Sequence, residues 1–418
     1  MSRRRPHGLR AAAGAAVATA LTLTAVAAAP AATAADRPDR GGHHTRTQQA
    51  LDAVVAAGAP GALAQVRDRR GTWTGSSGVA DVETERPRLR PDRFRIGSIT
   101  KTFVATVLLQ LQEERRLDLD DPVERWLPGV VRGNGHDGRK VTVRQLLNHT
   151  SGIYDVTSDR GFQEKVFESG FFEHRYDTWT PEQLVAIAME HEPSFAPGTD
   201  WSYSNTNYVL AGMVIEAATG NSYAEEVERR VVRPLGLRAT ELPGTRVTMP
   251  RPHGRAYERL GTGEEAQLVD VTEINPSVAW AAGEMVSTVD DLNRFLRALL
   301  DGRLLSGKSM REMLTTVPTG EGDRYGLGIR TRDLSCGVEV WGHSGGIHGS
   351  VSYVFSTRDG SRTMAYNVNT SASADSVLEA GFCGQEPAAS PGAGEAGQSG
   401  GSSPDRGRAA GDRVTGRR

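Results

Sequence analysis

Residues 94–101 read Phe94-Arg95-Ile96-Gly97-Ser98-Ile99-Thr100-Lys101. Beyond them Phe103, Val104, Val107, Leu108 and Leu111 recur at helical spacing, which predicts a helix over 100–117. Ser98 stands at the mouth of that helix, and Lys101 follows three residues later on the same helix face. A free serine hydroxyl is a poor nucleophile and needs a base. Lysine serves as that base when burial or a neighbouring cation lowers its pKa. The helix N-terminus adds positive partial charge that favours an attacking alkoxide. The bland alternative is an N-capping serine beside a solvated lysine. Lysine is scarce here: Lys101, Lys140, Lys165 and Lys308 are the whole set, and every other basic side chain is arginine.

Working outward, 61–81 reads as strand, turn and strand, with Arg70-Gly71 between the arms. Helical patterns fill roughly 120–230, including 181–190 and 207–218, and another runs over 288–300. The C-terminal part turns β-rich. Segments 351–356 and 362–368 flank Arg358-Asp359-Gly360, a hairpin signal. Strands at both ends with helices between them imply an antiparallel sheet joined to a helical subdomain.

Two further clusters carry chemistry. Tyr203-Ser204-Asn205 follows Pro197-Gly198 and precedes a helix. A phenol near a cationic lysine can shuttle a proton to a leaving group, and Asn205 can bond a substrate amide; a core tyrosine and a helix-capping asparagine are the alternative. His343-Ser344-Gly345 follows an apolar strand pattern, where small residues let a substrate backbone lie against the strand edge. His136-Asp137-Gly138 has the same pattern in a glycine-rich loop that suits a turn. A rival motif overlaps the second cluster. Gly342-His343-Ser344-Gly345-Gly346 spells the G-x-S-x-G nucleophile elbow, which would make Ser344 the nucleophile. An elbow leads into a helix, however, and Ile347 onward reads as strand. The partner histidine should lie well downstream, yet His348 is the last in the chain.

Composition excludes several classes. The 418 residues carry a net charge of -2, with 38% hydrophobic and 24% charged content, so there is no electrostatic footprint for nucleic acid. No H-E-x-x-H, P-loop or dinucleotide fingerprint occurs, so no metal or cofactor is expected. Arg3, Arg4, Arg5 and Arg10 precede an alanine-rich run over 11–29 and a small-residue site at Ala32-Thr33-Ala34, which reads as a cleaved signal peptide over 1–35. A membrane anchor is the alternative. Residues 36–46 are polar and expected to be mobile, 47–384 form the folded body, and the Gly/Ser/Pro-rich stretch 385–418 is expected to be disordered. In an exported chain Cys336 and Cys383 fit one disulfide, with two buried thiols as the alternative.

Taken together, 94–101, Leu146-Leu147-Asn148-His149-Thr150-Ser151-Gly152 and Tyr203-Ser204-Asn205 resemble the class C-related branch of the serine β-lactamase and penicillin-binding protein superfamily. Tyr203-Ser204-Asn205-Thr206-Asn207, Tyr325-Gly326-Leu327-Gly328, Arg332-Asp333-Leu334-Ser335-Cys336-Gly337 and Phe382-Cys383-Gly384 look most like its secreted actinomycete D-alanyl-D-alanine carboxypeptidases. The resemblance covers most of 47–384. It implies a β-lactamase/transpeptidase-like α/β (α+β) fold, an antiparallel sheet flanked by helices plus an all-helical subdomain.

It also implies roles. Ser98 would attack the penultimate D-alanine carbonyl of a peptidoglycan stem peptide, with Lys101 and Tyr203 moving protons. Backbone N–H groups of Ser98 and Gly346 would form the oxyanion hole. Asn205, His343, Ser344, Gly345 and Gly346 would contact substrate, Arg330 would bind the terminal carboxylate, and Cys336 would pair with Cys383. β-Lactams would act as inhibitors of a monomer working in the cell-wall space. There are departures. Gly346 stands where the family usually has Thr, Ser344 replaces Thr, and Trp280 sits about two residues from the family's cleft tryptophan. These changes leave room for a β-lactamase, esterase or D-aminopeptidase on the same scaffold. A non-catalytic binding protein would not need Ser98, Lys101, Tyr203 and Asn205 intact.

Overall fold

The computed structural model describes residues 44–260, 267–320 and 322–384. The expected signal peptide, most of the 36–46 segment and the 385–418 tail lie outside the described residues. Helix α1 (Thr45–Ala56) begins inside the segment expected to be mobile. Its buried residues Thr47, Ala50, Leu51 and Val54 form one stripe that needs a packing partner, which is why order starts before residue 47.

The remaining elements that position the site are strands β1 (Gly61–Asp68) and β2 (Gly71–Asp81), helices α2 (Thr100–Glu113), α3 (Asn205–Thr219) and α4 (Val289–Leu300), strands β3 (Arg330–Asp333), β4 (Glu339–Ile347), β5 (Ser350–Thr357) and β6 (Thr363–Val368), and helix α5 (Asp375–Cys383). The main sheet has nine strands in the order Val317–Pro318, Arg324–Tyr325, β3, β4, β5, β6, β1, β2, Arg86–Pro87. Every pairing in it is antiparallel. Strand β1 pairs with β6 from Ala62↔Val368 to Arg67↔Thr363, so the two ends of the described chain meet in the sheet's middle.

Both faces of that sheet are covered. Ala62, Ala64 and Val66 of β1 join α1 and α5 in one apolar cluster, while Leu63 faces the opposite cluster with α2 and α4. The alternation follows the two-residue period of a strand. Helices fill the stretch between α2 and α4, among them Val143–Leu147, Arg160–Val166, Phe171–His174, Pro181–Met189 and α3. Of the fourteen residues of α2, eleven are buried, so it runs through the interior instead of lying on it. The strand β4 contains the whole of 342–346 and continues straight to Ile347, with Ser344 paired to Tyr353. No helix follows Ser344, and the nucleophile-elbow reading falls. Cys336 and Cys383 form a disulfide, tying the turn before β4 to the end of α5.

Candidate active site

Ser98 lies in a short helical turn, Gly97–Ile99, that leads into α2, and Lys101 sits in the first turn of α2 itself. The Thr100 hydroxyl donates to the Gly97 carbonyl at 2.8 Å and braces that entry. Ser98 reaches solvent, whereas Lys101 is fully buried. Lys101 Nζ is 3.0 Å from Ser98 Oγ, 2.8 Å from Asn205 Oδ1 and 2.7 Å from the Ala282 carbonyl oxygen. A neutral amine would give its two N–H bonds to Asn205 and Ala282 and keep its lone pair for the serine proton. Burial supplies that neutrality by lowering the Lys101 pKa to about 7, against an opposing pull from Asp155. Tyr203 lies beside the Ser98 side chain, and burial raises its pKa, so the phenol holds its proton.

A glycine pair on β4 closes the other side. A Cβ on Gly345 would sit 2.0 Å from the Ile96 carbonyl oxygen and 2.7 Å from the Ser98 nitrogen. Gly97 has φ +50 and would carry a Cβ 2.8 Å from the Gly346 nitrogen. The backbones of 96–98 and 345–346 therefore touch only because neither has a side chain there. Gly345→Ala is expected to push the nucleophile away from the strand and lower kcat/KM about 100-fold, since an ångström of misplacement has that effect. Steady-state kinetics, with circular dichroism to show an intact fold, checks it.

Ser98, Tyr203, Asn205 and Gly346 all line one cavity of about 260 Å³. Its remaining wall is Val156, Thr157, Phe162, Val166, Phe167, Leu184, Val209, Val278, Ala279, Ala282, Gly283, Ile347 and His348. No Asp, Glu, Lys or Arg side chain is among them. His348 is held neutral, burial lowering its pKa to about 4, and its ring stacks on Phe167 and Phe171.

Other expected contacts are not among the residues lining this cavity. His343 is buried, with Nε2 2.8 Å from the Tyr325 hydroxyl and Nδ1 2.5 Å from the Ser344 carbonyl oxygen. Both ring nitrogens are thus engaged by protein groups, which fixes the His343 ring within β4. Arg330 lies on β3 opposite Gly342, near enough to Tyr203 and His149 to act on them electrostatically. Its guanidinium is already paired with Asp323 at 2.7 Å, a carboxylate that also takes Arg332 at 3.2 Å. Ser344 is half-buried and absent from the cavity lining. Trp280 turns onto Tyr223, ring centroids 4.7 Å apart, leaving Ala279 at the cavity instead of an indole.

Three participants escaped the sequence reading. The Ala282 carbonyl carries no side-chain signal at all. Behind it Tyr223 donates to Glu284, whose carboxyl burial pushes up to about 8, so this turn is pinned from the core. His149 stood inside a quoted motif without a role. Its Nδ1 accepts the Ser204 N–H at 3.2 Å and its ring lies 4.4 Å from that of Tyr203, from a backbone at φ +63 that non-glycine residues seldom adopt. Asp155 accepts from the Asn205 backbone at 2.9 Å.

Residues 45–381 match the family model described as Beta-lactamase. A D-stereospecific amidohydrolase from Streptomyces sp. superimposes with TM-score 0.78 at 60% identity, over 82% of this chain and 99% of that one. The D-amino acid amidase from Ochrobactrum anthropi SV3 complexed with D-phenylalanine gives TM-score 0.70 at 30% identity, over 81% and 97%. Penicillin-binding protein 4* of Bacillus subtilis (strain 168) is 30% identical over 308 residues, 70% of this chain. The chain spans only 64% of that relative's length.

Proposed function

The chain belongs to the beta-lactamase family, within the serine hydrolase superfamily, and from that premise we propose that it hydrolyses amide bonds to an apolar D-amino acid through an acyl-enzyme on Ser98. The observation that carries this reading is the cavity at Ser98, whose wall contains no Asp, Glu, Lys or Arg among the described residues. An aromatic or aliphatic side chain suits that lining, and a charged stem peptide would lose its hydration without a partner there. The amidohydrolase and amidase similarities supply the D-configuration and the amide bond.

In this mechanism neutral Lys101 takes the Ser98 proton as Oγ attacks the carbonyl. The oxyanion forms beside the Ser98 and Gly346 N–H groups, each such donor contributing about 2.7–4 kcal/mol. Tyr203, protonated at neutral pH, passes its proton to the leaving amine and recovers one from Lys101. Water then releases the acid and restores the serine.

The second reading is a D-alanyl-D-alanine carboxypeptidase that also binds β-lactams, favoured by penicillin-binding protein 4* and by the position of Arg330. The Asp323 pairing weighs against it, because a terminal carboxylate would have to compete for that guanidinium. Action outside the cytoplasm belongs to both readings and is supported by the Cys336–Cys383 disulfide.

Chiral chromatography of D- and L-phenylalanine amide digests, run beside a peptide ending in D-Ala-D-Ala, separates the readings. Hydrolysis of the D-amide with the L-amide untouched is the expected result. Release of terminal D-alanine with both amides intact would replace the proposal by its rival.

A further inference from the structure

Asp155 ends the segment Ser151-Gly152-Ile153-Tyr154-Asp155 and precedes the short helical turn Val156–Ser158. Its Oδ1 accepts the backbone N–H of Asn205 at 2.9 Å and that of Thr157 at 3.2 Å. Its Oδ2 accepts the Thr157 hydroxyl at 2.7 Å and Asn205 Nδ2 at 3.2 Å. Asn205 in turn offers Oδ1 to Lys101 at 2.8 Å. A side-chain amide has one donor end and one acceptor end. With Nδ2 held by a carboxylate, only Oδ1 is free to meet the lysine; a flipped amide would set N–H against N–H and oxygen against oxygen. The carboxylate therefore fixes which way Asn205 points, and places a negative charge one side chain away from Lys101.

We propose that Asp155 is a positioning residue that orients Asn205 and, by its charge, sets how tightly Lys101 holds its proton. The inference deepens the proposed mechanism and rests on Lys101 being its base. Two forces act on that lysine in opposite directions. Burial strips the ammonium of water and favours the neutral amine, while Asp155 favours the ammonium. With burial alone the amine would be neutral but a feeble base; the carboxylate returns part of its basicity, keeping it near the operating pH where general-base catalysis works best. The other groups facing Lys101 carry no comparable charge. The rings of Tyr203 and Tyr208 lie 4.9 Å and 5.5 Å from Nζ, both phenols kept protonated by burial. The imidazoles of His149 and His343 are kept neutral by burial. Arg330, which acts on Tyr203 and both imidazoles, is paired with Asp323. On its outer side Asp155 acts on Tyr154, whose ring stacks on His191, itself 2.9 Å from Asp159.

A merely structural role is the alternative. Asp155 stands at the N-terminus of α3, where Ser204 makes no side-chain cap, and a carboxylate there stabilises any helix. A cap would not move the titration of Lys101, so titration is the measurement. The chain has only four lysines, so its Cε signals can be followed one by one by carbon-13 NMR in lysine-labelled protein. The Lys101 signal is identified by its loss in Lys101→Arg. In Asp155→Asn, an isosteric change, the midpoint is expected to fall by about one pH unit, and Asp155→Glu should restore most of the wild-type value. An unmoved midpoint in Asp155→Asn, or an equal fall in both variants, would overturn the charge role. The readout is the lysine itself and not turnover, so a failure of the hydrolase reading would show separately, in absent hydrolysis by wild-type protein.

Discussion

Ser98→Ala is expected to end turnover and to leave no covalent adduct with a p-nitrophenyl ester. Loss of kcat should be on the order of 10⁴-fold or greater, because removing a nucleophile leaves only oxyanion stabilisation and binding. The change is small in every other respect. The residue is partly buried, and its side-chain hydrogen bond runs to a group of the site, Lys101 at 3.0 Å. Stability should therefore stay within about 1 kcal/mol of wild type. Intact-protein mass spectrometry makes the result clear: wild type gains the mass of the acyl group, and the variant does not. An adduct that persists in Ser98→Ala would move the nucleophile elsewhere. Ser344 is no refuge for it, since that residue sits inside β4, paired with Tyr353, and does not line the cavity.

The sequence exposed this serine because its signal is local. Ser98 and Lys101 are three residues apart on one helix, and helical spacing alone puts them together. The sheet was legible for a related reason: β1 with β2, and β5 with β6, are hairpin neighbours, and the apolar runs that form them are short and bounded by turn residues. The 120–230 helical stretch was visible from periodicity as well. What resisted reading depends on chain crossings. Asn205 is 104 residues from Lys101, and Ala282 is 181 residues away and uses only its carbonyl. No pattern of residue types announces a carbonyl. His343 shows the converse: its motif lies within a strand, yet the contact of its ring with Tyr325, eighteen residues upstream, comes from the fold. The resemblance implies that Arg330 binds a terminal carboxylate, and only the fold brings Asp323 and Arg332 beside it. Groups that would set substrate preference are brought together by just these long-range placements, and no local motif displays them.

Lys101→Met carries the second large effect, and its pH dependence identifies the base. Methionine keeps the unbranched shape and the burial while removing the amine. General-base loss should lower kcat/KM by about 10³-fold, read from initial rates with the fold checked by circular dichroism. Lys101→Arg should do no better, because guanidinium stays charged and cannot accept the serine proton. In wild type the sign follows from the lowered pKa of about 7. Above it the amine is neutral and competent; below it Lys101 is protonated, and kcat/KM should fall tenfold for each further pH unit. That acid limb should vanish in Lys101→Met, leaving a low rate that is flat between pH 5 and 9. Tyrosinate as base predicts otherwise. Burial raises the Tyr203 pKa above its usual value, so a tyrosine-driven reaction in Lys101→Met would climb steadily with pH and show no plateau. A flat profile assigns the serine proton to Lys101, and a rising one gives it to Tyr203, with the lysine left to hold Asn205 and the Ala282 turn in place.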